Sequence, residues 1–375
     1  MQEQVPVSQK RSAIWPDMGF VDMKMVALAI INVIATLIVY VPFLIQNNFS
    51  EITRYWDGPL YMYVAKMFYN VPATNPFGLP NYYFACNLAL FPLLIRAFSF
   101  IGYSYSMIFV VIACSTLATL VFYRLLKDFG YSANPFWASI VFVFFPARWL
   151  LYHSVGADEP LFILLVISSI YCYKKDKYLF AFLLAGLASI TKVFGVLMFI
   201  SYAILLIYEK KYRYLPYTLI IPAFLGANFL IYHFTYGNFF AYFEWNGGYM
   251  KLIPFMNVFA PELAGQTNNA ELFLYMYIIY IVGALRLWKR PELCSFSLVF
   301  VLFMAFVEHP DISRYLLPAA PFALIVAFDD IISRKEFMIV FPLIVIFGYF
   351  YCWGIIPTNL MDPGAYSGLI SVLGG

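Results

Sequence analysis

Charge is what this sequence has least of. Of its 375 residues only 11% are Asp, Glu, Lys or Arg, and 63% are hydrophobic. A soluble domain carries about 25% charged residues, so a water-soluble globular fold is excluded. The net charge of +3 is too small to suggest nucleic acid as a partner, and no basic–aromatic array appears, so none is expected. Histidine is scarcer still, with three in the chain and none spaced as a zinc pair. The five cysteines, at 86, 114, 172, 294 and 352, are scattered and form no C-x-x-C pair, which argues against metal or redox chemistry through sulfur. The first apolar run also lacks a small-residue cleavage site, so it reads as a retained span and not as a signal peptide.

Apolar runs of membrane-spanning length take the place of charge. They fall at 25–45, 105–125, 135–152, 160–173, 178–191, 193–208, 214–235, 271–287, 294–307, 315–333 and 337–356. These predict an all-α, polytopic helical bundle of about 11 spans in one transmembrane domain over residues 1–375. Several runs are shorter than the ~20 residues a straight span needs, so they lean on neighbours or are partly re-entrant.

The connectors carry the orientation signal. Lys10, Arg11, Lys24, Arg124, Lys127, Lys174, Lys175, Lys177, Lys210, Lys211, Arg213, Arg286, Lys289, Arg290, Arg334 and Lys335 make up 16 of the 23 cationic residues. The positive-inside rule places such loops on one side. They alternate correctly only if the apolar run 82–100 does not cross, so that run is expected to lie along the outer surface. Residues 46–104 then form a first long outer loop with juxtamembrane helices, and 237–270 form a second.

On this topology the unusual polar residues share the outer side. Asp57 precedes Gly58-Pro59 at a helix start, where it reads either as a capping carboxylate or as a base held near the bilayer surface. Trp56 and Tyr61 suit an interfacial aromatic belt or a sugar-stacking surface. Asp158 and Glu159 in "GADEP" sit at a span start, as common end-of-helix acids or as groups that orient a hydroxyl. Lys192 stands alone between two apolar stretches and needs a carboxylate, water or an anionic ligand, unless it snorkels to the interface. In "EHPDISRYLLP" His309, Asp311, Arg314 and Tyr315 cluster between spans; Arg314 either grips a phosphate or pairs locally with Asp311. His153, Ser154 and Asp158 form no credible triad, because no nucleophile-elbow pattern surrounds the serine. Carboxylates beside cations at membrane depth, with aromatic faces around them, suggest group transfer from a lipid phosphate.

The motifs in order strengthen that reading. "YWDGPLYMYVAK", "FPLLIRAFSFIG" (91–102), the run from "GADEP" to "TKVFG" (156–195), "YGNFFAYFEWN" (236–246) and "RYLLPAAPF" (314–322) resemble successive motifs of the GT-C superfamily of polyprenyl-phosphate-sugar-dependent glycosyltransferases. They are most similar to the GPI mannosyltransferase II family and its prokaryotic relatives. The chain departs from that pattern at Lys192, where an arginine is commoner, and at Phe239, where a proline is expected. The resemblance implies a GT-C-like fold with Asp57 as catalytic base and Asp158 and Glu159 at the second-loop acidic position. It also implies that Lys192 and Arg314, with Tyr315, face the donor phosphate. Trp56, Tyr61, His309 and Trp245 are the expected sugar or acceptor contacts.

The expected activity is inverting transfer of a sugar, mannose by resemblance, from a polyprenyl (dolichyl)-phosphate donor to a glycolipid or lipid-linked glycan hydroxyl. Neither cofactor nor metal is required, because a phosphate monoester is a good enough leaving group. The site would face outward from a plasma membrane in a prokaryote, or into the lumen of the endoplasmic reticulum in a eukaryote. Two rivals belong to other classes: a transporter or flippase of lipid-linked sugars, and a noncatalytic subunit of a glycosylation complex. A transporter would spread its polar residues through the membrane depth from both sides.

Overall fold

The structure is a computed structural model that describes residues 22–259 and 269–374. Lys10, Arg11 and residues 260–268 of the second long loop lie outside the described residues. Asp22 accepts a hydrogen bond from the Lys24 N–H at 3.1 Å and starts α1 (Met23–Ile45). Short α2 (Ser50–Thr53), α3 (Gly58–Met67) and α4 (Leu90–Ala97) follow. A long run then comprises α5 (Tyr103–Phe129), α6 (Pro135–Phe144), α7 (Ala147–Tyr152), α8 (Glu159–Lys174), α9 (Tyr178–Ser189), α10 (Leu197–Tyr208), α11 (Ile220–Tyr236) and α12 (Ala241–Asn246). After α13 (Met256–Phe259) come α14 (Asn269–Arg286), α15 (Pro291–Met304), α16 (Ile312–Leu316), α17 (Asp329–Ile332), α18 (Lys335–Ile355) and α19 (Pro363–Leu373). Among the described residues there is no strand, only two isolated bridges, Tyr55 with Leu360 and Met250 with Val307.

Among the described residues four helical stretches are long and apolar enough to cross a membrane: Met23–Ile45, Tyr103–Phe129, Tyr212–Tyr236 and Lys335–Thr358. Their outward faces stay apolar. Ile30, Ile34, Leu37 and Val41 of α1 are exposed, as are Ile339, Leu343, Ile346 and Phe350 of α18. Water would select charge on such faces, whereas lipid suits them. The protein is an all-α membrane protein.

Proline decides where the observed helices depart from the expected spans. The stretch 135–152 breaks at Phe145, which is extended (φ −131°, ψ 136°) as a residue before proline tends to be. The stretch 315–333 contains Pro318 and Pro321. Each lacks an N–H, and the segment becomes α16, a 3₁₀ turn, a π-turn over Pro321–Val326 and α17. The run 82–100 is divided too, without a proline at the break, into a 3₁₀ segment Asn81–Cys86 and α4. At 1.5 Å per residue α4 is about 12 Å long, too short to cross.

The helices have two chemically different ends. At one, Lys127 meets Asp22 at 2.8 Å, Lys175 meets Asp128 at 3.2 Å and Lys174 meets Glu292 at 3.4 Å. Lys211 adds a contact to Glu209 at 2.8 Å, and Arg286 one to Asp330 at 2.6 Å. These pairs tie the C-terminal ends of α5, α8 and α14 to their neighbours, and Lys211 reaches from the end of α10 to Asp176 in the α8–α9 turn at 3.7 Å. The other end of α8 carries Asp158 and Glu159, about 24 Å away along a 16-residue helix.

Candidate active site

A cavity of about 440 Å³ opens at that second end of α8. Its polar walls come from segments far apart in sequence, and two glycines let them meet. A Cβ on Gly156 would fall 2.9 Å from the Gly58 Cα and 2.4 Å from the Met107 Sδ, so the Asp57 and Asp158 loops pass back to back only without side chains there. A Cβ on Gly195 would lie 2.5 Å from the Ala188 carbonyl carbon, so the turn after Lys192 folds onto the end of α9.

Nine of the ten residues given a site role from the sequence line this cavity: Trp56, Asp57, Tyr61, Asp158, Lys192, Trp245, His309, Arg314 and Tyr315; Asp311 of the same cluster joins them. Glu159 does not line it. It lies wholly buried behind Asp158, so the two adjacent acids play different parts. The Glu159 Oε1 is shared by both cations, accepting from the Arg314 Nε and standing 3.0 Å from the Lys192 Nζ. Lys192 also meets the Asp158 Oδ1 at 2.8 Å. Arg314 donates from its Nη1 to the Asp57 Oδ2 at 2.5 Å.

These contacts decide several alternatives. Asp57 makes no capping hydrogen bond although it occupies the N-cap of α3. Its Oδ2 takes Arg314, and its Oδ1 accepts no hydrogen bond among the described residues. Arg314 does not pair locally with Asp311. Asp311 is held by Arg148 and by the Tyr152 hydroxyl at 3.0 Å. Lys192 is no snorkelling lysine, because both its carboxylate partners are buried. The His153 Nε2 donates to the Val143 carbonyl at 3.1 Å and its Nδ1 pairs with Thr36 at 3.0 Å, while the Ser154 hydroxyl donates to the Leu150 carbonyl. Those two residues fasten helices and touch no acid.

Burial pushes the Asp158 carboxyl above its ordinary range, against the pull of Lys192. Burial also pulls the His309 imidazole below its ordinary range, ahead of the opposing field of Asp311. The His309 Nδ1 accepts the Asp311 N–H at 3.0 Å, which leaves the proton of the neutral ring on Nε2. Tyr315 packs on the His309 ring at 4.9 Å, and Trp245 stands edge-on to Tyr83 at 5.1 Å. Tyr61 is buried edge-on against Phe91 at 4.9 Å, whereas Trp56 is largely exposed.

Three contributors escaped the sequence reading. Arg148, a lone cation in the apolar run "FFPARWLLY", shows the same signal that marked Lys192. Tyr152 lies under the Arg314 guanidinium, its ring centroid 4.7 Å away, and had no signal at all. Asn359 lines the cavity from beyond the last expected span. The site therefore sets four carboxylates (Asp57, Asp158, Glu159, Asp311) against three cations (Arg148, Lys192, Arg314). Among the described residues no group of three or more His, Cys, Asp or Glu side chains is placed to hold a metal ion.

Beside the polar cavity runs an apolar groove of about 180 Å³, formed in part by Val196, Leu197, Leu225 and Phe303. Val193, Phe194, Tyr242, Asn246, Tyr249 and Tyr315 belong to both. Lys192 sits at the polar side of that shared wall. The arrangement suits an amphipathic molecule with a polar head in the cavity and a chain in the groove. No protein-family model, curated protein or solved structure matches this chain.

Proposed function

We propose that the protein is an inverting glycosyltransferase of GT-C type. It takes a sugar, mannose by the motif resemblance, from a polyprenyl-phosphate donor to the hydroxyl of a glycolipid or lipid-linked glycan. The observation that carries this reading is the join between the polar cavity and the apolar groove, with Lys192 at the boundary and Asp57 in the polar lining, tied to it through Arg314 and Glu159. A lipid-phosphate sugar has that same order of parts: sugar, phosphate, hydrocarbon chain.

In this reading the Asp57 Oδ1 accepts the proton of the acceptor hydroxyl. The acceptor oxygen forms a bond to the anomeric carbon from the face opposite the phosphate. The anomeric C–O bond breaks, and its electron pair stays with the lipid phosphate, whose new charge Lys192 and Arg314 stabilise. Because Arg314 already holds Asp57, a phosphate drawing on Arg314 loosens the base at the moment the donor is in place. The basic connectors favour the cytoplasm for the opposite end, so in this reading the cavity faces outward or toward the lumen. Concentration of the polar groups at one end, rather than through the depth of the bundle, favours transfer over transport.

The test is transfer of labelled mannose from a short-chain polyprenyl-phosphate-mannose by the purified chain in detergent, with mixed glycolipid acceptors. Wild type should transfer, and Asp57→Asn should be slower by about 10²–10⁴-fold, the usual worth of a general base. Near-normal turnover by folded Asp57→Asn would remove Asp57 from the base role. No transfer by wild type across all acceptors would sink the transferase reading.

A further inference from the structure

The Asp57 loop is held from the far end of the chain. Between α2 and α3 it has only four residues, Arg54 to Asp57, and α2 is a single turn that cannot order itself. The Trp56 N–H donates to the Asn359 carbonyl at 3.0 Å, and the Met361 N–H donates to the Arg54 carbonyl at 2.9 Å. This is a short antiparallel pairing centred on Tyr55 and Leu360. Side chains extend it: the Arg54 Nε donates to the Met361 carbonyl at 2.9 Å, and the Thr53 and Tyr366 hydroxyls meet at 2.7 Å.

The far side of the pairing is itself anchored. Asp362 caps α19, accepting from the Gly364 and Ala365 N–H groups at 2.8 and 3.0 Å. Gly368 of that helix packs so closely on Pro76 that a Cβ would lie 3.1 Å from the proline Cβ. The pairing also reaches the cations. Tyr55 packs edge-on against Tyr152 at 6.2 Å, and Tyr152 is the ring under Arg314.

We propose that residues Asn359–Tyr366 are a positioning strap for the candidate base, with the Met361 N–H and the Tyr366 hydroxyl as its fastening groups. A base displaced by about 1 Å loses on the order of 10²-fold in rate, so a loop that cannot hold itself needs such a fastening. The strap's kinetic consequence rests on the transferase reading; its hold on the loop does not.

Hydrogen exchange and transfer kinetics on the full chain in detergent test both parts. Met361→Pro deletes the donor, Met361→Ala keeps it, and Tyr366→Phe deletes only a hydroxyl. Met361→Pro and Tyr366→Phe should speed amide exchange at Trp56 at least ~10-fold while α5 keeps its protection, because local opening then becomes cheaper. Met361→Ala should exchange like wild type. In transfer, kcat should fall by about 10²-fold in Met361→Pro, with the donor KM within about twofold of wild type. Unchanged exchange over 54–61 in both fastening variants, or equal damage from Met361→Ala, overturns the strap. If Met361→Pro loses the α5 protection, Tyr366→Phe alone decides. Absence of wild-type transfer removes the transferase reading and leaves the exchange result standing.

Discussion

The two ends of the bundle use the same ionic residues in opposite ways. At the basic end, among the described residues, each pair but Lys174–Glu292 keeps at least one partner in solvent: the Lys211 and Asp176 side chains are 36% and 76% exposed, and those of Arg286 and Asp330 are 42% and 56% exposed. At the cavity end Glu159 is 0% exposed, Asp158 4%, Arg314 16% and Lys192 20%. Exposed pairs contribute about 0–1 kcal/mol and are screened by salt. Buried charges carry a desolvation cost that only close partners offset. The exposed pairs of the basic end therefore ask only for charge, which any lysine or arginine could supply. The cavity end keeps charges where apolar side chains would pack at no such cost, which is the physical reason to look there for function.

The comparison breaks first at Arg314. Arg314→Ala leaves Asp57 and the fully buried Glu159 without their shared partner, and a loss of about 3–5 kcal/mol is expected in unfolding measured in detergent. A loss below about 1 kcal/mol would mean that Lys192, still 3.0 Å from Glu159, or water offsets the missing guanidinium and that the two ends are not different. The next largest effect tests whether burial or location matters. Glu292 lies at the basic end but is buried, accepting from the Tyr131 hydroxyl beside Lys174. Glu292→Gln should cost about 1–3 kcal/mol, as a buried charged acceptor is exchanged for a neutral one. If it behaves like the exposed pairs, position in the bundle and not burial sets the cost. The smallest change is expected from Arg286→Ala, about 0–1 kcal/mol, shrinking further between 0.05 and 0.5 M salt on the same assay. A larger, salt-independent loss would give the Arg286 contact to the Ala327 carbonyl, at 2.8 Å, more weight than its ion pair.

Much of the cavity was legible because burying charge in a membrane chain is costly wherever it occurs. Asp57, Lys192 and Arg314 each stand out against apolar neighbours. Arg148 carries the same signal, but it falls inside the apolar run 135–152, which by composition alone is one uninterrupted span. The prolines that divide 135–152 and 315–333 were also visible. Their effect on helix continuity depends on neighbours that can satisfy the freed carbonyls, which a sequence does not display.

By itself, then, the sequence determined the solvent and the alphabet of the site. Long apolar runs demand lipid, and the few charges within or beside them demand partners. Only the tertiary structure decided which partners those are. Arg314 finds Glu159 and Asp57 at separations of 155 and 257 residues, and the local Asp311 goes instead to Arg148. Glu159 is separated from Asp158 by which face of α8 turns inward, a distinction adjacent residues cannot announce. The strap from Asn359 to Tyr366 left no trace at all, because main-chain pairing draws on N–H and C=O groups that nearly every residue has. Composition and periodicity report how each residue meets its solvent; pairing across the fold is set by where packing brings the segments, and that is settled only when the whole chain is in place.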